Sequence, residues 1–119
     1  MQTNRNKYTI IVALDKLAPL KDLALVFGKE LTKKYGGCTI TNAIGFWAQD
    51  GEQFKDTYGK QMVEHARKFE VVTMDEQRAE IQQLFKDTIA KCALLNDYDY
   101  SGQWIHFEHV KINCEHFQI

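Results

Sequence analysis

Three groups of residues have the types and spacing to do chemistry. His106, Glu108 and His109 lie close together, with His116 further on. On a strand, alternation puts His106 and Glu108 on one face and His109 on the other. At most two ligands then converge, fewer than the three or four protein ligands of a zinc site, and no metal centre is expected. Cys38, Cys92 and Cys114 could include a nucleophile, but no Cys–His arrangement occurs at local spacing. The third group is Glu64, His65 and Arg67, with Lys55, Tyr58, Lys60 and Trp47 around them. Arg67 and Lys60 can hold a carboxylate or phosphate, and Trp47 or Tyr58 can stack a ring. The competing account is a solvated hairpin end whose charges pair with each other. The ligand-binding candidates are therefore Trp47, Tyr58, Lys60, Glu64, His65 and Arg67; no catalytic residue and no cofactor can be assigned.

The elements that position these residues follow from periodicity. Residues 1–6 are polar and expected to be loose. Tyr8 to Leu14 is a short, β-branched apolar run, which predicts a strand buried on both faces. From Ala18 to Tyr35, Leu20, Leu23, Ala24, Phe27 and Leu31 recur at helical spacing. Pro19 suits the first turn, and Lys33 and Lys34 complement the dipole at the last. Gly36-Gly37 stops the helix. A strand then carries Cys38, Ile40, Ile44 and Phe46 on one parity, with Asn42 as the polar exception. Gly45 suggests a bulge or a close backbone approach. Asp50-Gly51 opens a long hairpin connection, residues 49–60, and long ordered loops are often functional.

Met62 to Thr73 reads as the return strand, with Val63, His65, Arg67, Phe69 and Val71 on one parity. Two charged or polar residues at the loop end of an otherwise apolar parity are unusual for a core. A second helix spans about Asp75 to Leu95, with Thr73 and Glu76 spaced as a capping box and Asp75 as an alternative N-cap. Its stripe is Ile81, Leu84, Phe85, Ile89, Cys92 and Leu95. A turn-rich segment, Asn96 to Gly102, is either a plain turn or an interaction loop. The last strand runs from Gln103 to Ile112, and residues 113–119 form a tail.

The order β-α-β-β-α-β is that of a ferredoxin-like α+β sandwich, a four-stranded antiparallel sheet in order 4-1-3-2 with both helices on one face. In that order His65 and His106 lie two strands apart, roughly 9–10 Å. Either Ile11 and Ala13 or Ile10 and Val12 must point to the face without helices. An apolar sheet face left open marks an interface, so a homo-oligomer, dimer or trimer, is expected.

The chain has 119 residues, which fits one domain spanning 1–119. A net charge of -1 argues against a nucleic-acid binder. No apolar run reaches the length of a membrane span, and no signal-peptide pattern stands at the N-terminus. An odd number of cysteines without a CxxC fits reduced thiols in a cytoplasmic protein.

The run Gly37-Cys38-Thr39-Ile40-Thr41 through Gly45-Phe46, after a β-α unit and before a long loop, resembles the second strand and T-loop entry of PII-like signalling proteins. That resemblance implies a trimeric ferredoxin-like protein binding a small anionic or nucleotide-like ligand between subunits. After the return strand, where that family has a glycine-rich nucleotide loop, this chain has Thr73-Met74-Asp75-Glu76. The same run with Trp47, Asp50-Gly51, Glu64 and Lys68, extending to Glu108-His109-Val110, also resembles small bacterial proteins of unknown function with this topology. The function expected is a small-ligand-binding or regulatory module, with its site at the hairpin mouth and subunit boundary. Two alternatives stand beside it. One is a small enzyme of the dimeric α/β-barrel kind, with His65, His106 or Glu108 as acid or base. The other is a protein-interaction partner that needs no ligand.

Overall fold

The computed structural model describes residues 3–48, 61–101, 103 and 105–119; side chains at 3, 46–48 and 61–63 are not described. The connection over 49–60 therefore lies outside the described residues. Six elements follow in order: β1 (Thr3–Leu14), α1 (Leu17–Tyr35), β2 (Thr39–Ala48), β3 (Gln61–Thr73), α2 (Arg78–Asn96) and β4 (His106–Cys114). They form one antiparallel sheet of order β2-β3-β1-β4, which is 4-1-3-2 read from the other edge. The fold is the expected ferredoxin-like α+β arrangement.

One end of the sheet is longer than periodicity implies, while β4 begins at His106 rather than at the expected Gln103. Thr3 to Asn6, expected to be loose, belong to β1 and pair with Cys114 to Lys111. Asn113 and Cys114, expected in the tail, are their partners on β4. Hydrophobic alternation cannot mark such a stretch, because its backbone ladder is satisfied without apolar side chains. The capping box is also displaced. The Thr73 hydroxyl donates to the Asp75 carbonyl, and α2 begins only at Arg78, after Gln77. Glu76 still serves the first turn, accepting the Arg78 N–H at 2.9 Å, and the Gln77 N–H donates to the Tyr8 hydroxyl at 2.7 Å. Gly45 makes no bulge: the β2–β3 register runs unbroken through Gly45 opposite Glu64.

Even-numbered positions of β1 face the helices. Tyr8, Ile10, Val12 and Leu14 are fully buried there, with Phe69 and Val71 of β3. Leu20, Leu23, Phe27 and Leu31 of α1 and Ile81, Phe85 and Cys92 of α2 close the core. Phe27 stands at its centre, edge-on to Phe69 at 5.1 Å and to Phe85 at 5.2 Å. Leu95, expected on the α2 stripe, is instead exposed, and Thr88 fills the stripe by donating to the Leu84 carbonyl. Both helices end on left-handed residues. Gly36 (φ 90°) closes α1, its N–H donating to Thr32 at 2.9 Å. Asp97 (φ 53°) closes α2, its N–H donating to Ala93 at 3.1 Å. A residue with a Cβ is strained in that conformation. Asp97→Gly is therefore expected to raise stability by about 0.5 kcal/mol, read as a higher urea midpoint at unchanged slope.

The face away from the helices is mixed rather than the expected bare apolar surface. Ile11 and Ala13 do point to it, but Lys7 bridges Glu70 at 2.7 Å across its middle, with Lys68 at 3.5 Å on the other carboxylate oxygen. These bonds, that from Lys7 first, hold the Glu70 carboxyl below its ordinary range. Phe107 and His109 of β4 turn to the helix face, where His109 stacks on Tyr8 at 4.5 Å and bonds Asn6.

At one end of the sheet, Tyr98 donates to Asp15 at 2.6 Å, linking the segment after α2 to the end of β1. Burial first, then this bond, push the Tyr98 phenol up to about 12. The folded protein holds that proton more tightly than the unfolded chain. The contribution is therefore complete below the ordinary phenol range near 10 and is lost as pH rises through about 12. Stability should fall over that alkaline window by about 1 kcal/mol, allowing for solvent screening. Tyr98→Phe should flatten the fall, as followed by denaturant unfolding at a series of alkaline pH values.

Candidate functional site

The register places the candidates on different faces. His65 pairs with Leu14 and Ile44, and Arg67 with Val12 and Asn42, so both stand on the helix side of β3. Glu64, opposite Gly45, stands on the other side. Trp47 is described by its backbone alone, opposite Met62, while Tyr58 and Lys60, like Lys55, lie outside the described residues. Of the described candidates, His65 is exposed and Arg67 is 7% exposed. The expected group at the hairpin mouth is thus brought together only in part. Arg67 turns inward, under the first helix.

That burial has a geometric cause. α1 packs across β3 and β1 and leaves the edge strand β2 largely uncovered. Ile44, on the helix side of β2, is accordingly 65% exposed. A groove of about 750 Å³ opens between α1 and β2, and Arg67 lies in its floor. Its apolar wall is Ala24, Leu25 and Gly28 of α1 with Cys38 and Ile40. Gly28 brings helix and strand close: a Cβ there would lie 3.0 Å from Ile40 Cδ1. The rim is cationic, with Lys21, Lys29 and Lys33. Among the described residues, Glu30 is the single carboxylate lining the groove, and Lys33 (3.8 Å) and Lys91 (3.7 Å) both approach it.

The guanidinium of Arg67 donates from Nη1 to the Ala66 carbonyl at 3.0 Å, and among the described residues it forms no ion pair with a carboxylate. No side-chain nitrogen or oxygen of the described residues is both fully buried and unpartnered, and Arg67 is among the residues that line the groove. A guanidinium presents five N–H donors and stays charged at any physiological pH. Removing such a charge from water without a counter-ion is costly. The arrangement can bind a carboxylate or a phosphate through paired N–H donors.

The other chemical candidates do not converge. His106 Nε2–H donates to Glu108 Oε1 at 2.6 Å, with both side chains more than half exposed. His106 pairs with Ile11, so it stands on the opposite face of the sheet from His65. No bridge between the two histidines, by an ion or otherwise, can form through the sheet. Among the described residues, no three of His, Cys, Asp and Glu gather as metal ligands would. Cys92 is fully buried in the core, and burial pushes its thiol up. Burial also pushes up Cys38, whose Sγ lies 3.8 Å from the Gly28 carbonyl. Neither holds its sulfur as a ready thiolate. A second cavity, of about 210 Å³, lies between α2 and the end of β1; Phe85, Ile89, Tyr100 and Ile105 give it apolar walls.

Periodicity missed the helix side of the groove. Lys21, Leu25, Lys29 and Gly28 lie off the buried stripe of α1 and look like solvent-facing positions. The one available signal was Gly28, a glycine inside a helical pattern, which implies a close approach.

No protein-family model and no curated protein matches this chain. Several solved structures are similar to it. A PII-like signalling protein from Thermus thermophilus is 18% identical, with 95% of this chain and 91% of that chain covered and a TM-score of 0.49. The ATP complex of GlnK from B. subtilis is 19% identical, with 90% and 82% covered and a TM-score of 0.42. A phage SAM lyase in complex with S-methyl-5′-thioadenosine is 8% identical, with 96% and 93% covered and a TM-score of 0.48. Among the described residues, no helix is long and apolar enough to cross a membrane.

Proposed function

We propose that this chain is a small cytoplasmic ligand-binding module with a regulatory role, one domain over residues 1–119, and that its ligand is an anion captured by Arg67. The observation that carries this reading is the burial of Arg67 in the floor of the α1–β2 groove without a carboxylate partner among the described residues. A structural arginine at such a depth would be paired, because an uncompensated buried charge destabilises the fold. The three lysines on the rim raise the local concentration of anions and speed their capture. The module works as a homo-oligomer. Support comes from the sheet face without helices, where Ile11 and Ala13 are half-buried and Val72 and Val110, on either side of Lys7, are each more than a third exposed. Charges interspersed among these apolar residues suit a wet, specific contact rather than a dry one.

Native mass spectrometry of freshly purified protein tests both parts. The expected spectrum shows a dimer or trimer that retains a small anionic mass, and Arg67→Gln protein keeps the subunit count and loses that mass. A wild-type monomer would refute the assembly. Equal retention by wild type and Arg67→Gln would refute the site.

A further inference from the structure

The walls of the groove say more than its floor. Arg67 and the rim lysines supply the charge, but the surface between them is hydrocarbon: Ala24, Leu25, Gly28 and Ile40. Leu25, 60% exposed, contributes to this apolar surface. A purely polar anion, such as free phosphate, would satisfy Arg67 and leave this apolar channel in contact with water. A ligand with an aliphatic body would cover both.

We infer that the groove takes an amphiphilic monoanion, a carboxylate head on an unbranched aliphatic chain. The inference rests on the proposed anion site and names the class of its ligand. The head accepts two N–H bonds from the Arg67 guanidinium. The chain lies against the apolar surface that Ala24 and Leu25 of α1 and Ile40 of β2 present along the groove. Lys21, Lys29 and Lys33 flank the groove and exclude a cationic ligand. A groove of about 750 Å³ is within the size range of small-molecule sites.

Isothermal titration calorimetry with four probes tests this: acetate, inorganic phosphate, decanoate and decanol. Each methylene buried adds favourable free energy, so decanoate is expected to bind at least about 100-fold more tightly than acetate even with its chain only partly covered. Decanol, lacking the charge, should bind at least about tenfold more weakly than decanoate. Arg67→Gln should reduce decanoate binding to the level of decanol and leave decanol unchanged. Leu25→Ser, at an exposed position, should weaken decanoate several-fold more than it weakens acetate. If phosphate or acetate binds through Arg67 as tightly as decanoate, the aliphatic body is wrong and the anion site stands. If decanoate binds equally to wild type and Arg67→Gln, its binding is non-specific and the inference falls. If none of the anions binds wild-type protein, the inference and the anion site both fail.

Discussion

Phe27→Ala is expected to lower stability by about 3–5 kcal/mol. Phe27 is completely buried and is the point where α1, α2 and β3 meet, through its edge-on contacts with Phe69 and Phe85. Deleting the ring removes its transfer energy. It also leaves a cavity that cannot collapse, because the two neighbouring rings are held by separate elements. A domain of this size has only about 5–15 kcal/mol in hand, so the loss is a large fraction of the total. Denaturant unfolding followed by circular dichroism gives the number. Phe27→Leu, which keeps most of the volume, should recover at least half of the loss.

Arg67→Met is expected to act in the opposite sense. The ligand-free protein should become more stable by about 1–2 kcal/mol, because a buried cation with no carboxylate partner among the described residues is replaced by an apolar side chain of similar length. Anion binding should fall at least about 30-fold, the loss expected when one partner of a desolvated charge pair is removed. A substitution that strengthens the fold while removing a function marks a residue kept for its ligand. If Arg67 is structural, the variant should instead lose stability. Paired urea unfolding and calorimetry with acetate and phosphate separate the two. Both proteins must be free of bound anion, since a ligand bound to the folded state stabilises the wild type by mass action.

The architecture was legible in the sequence because the strong periodicities are those that pack the core. Leu20, Leu23, Phe27 and Leu31 marked α1, the alternation around Phe69 and Val71 marked β3, and the run Tyr8 to Leu14 marked the central strand. The ends were less legible. Thr3 to Asn6 and Asn113 to Cys114 are strand by their backbone pairing, which polar side chains do not reveal. The α2 start was misplaced by three residues because Thr73 spends its hydroxyl on the Asp75 carbonyl, in a turn ahead of the helix. For the site, the misplaced parity of His65 and Arg67 was the informative feature. It put a cation on a core-facing strand position, where Arg67 is in fact buried. What alternation could not show is that α1 stops short of the edge strand. That offset exposes Ile44, opens the groove, and brings Lys21, Leu25, Gly28 and Lys29 to a residue on another element. Glu64 was misgrouped for a simple reason: adjacent positions on a strand face opposite ways.

The most direct test of the anion site is a nuclear magnetic resonance titration of ¹⁵N-labelled protein with acetate and with inorganic phosphate, following the Nε–Hε resonance of Arg67. The expected result is a saturable shift of that resonance with at least one of the two anions, accompanied by the backbone amides of Gly28 and Ile40 along the same groove. A titration in which these resonances stay still, or move only in linear proportion to ionic strength, would contradict a ligand site at Arg67.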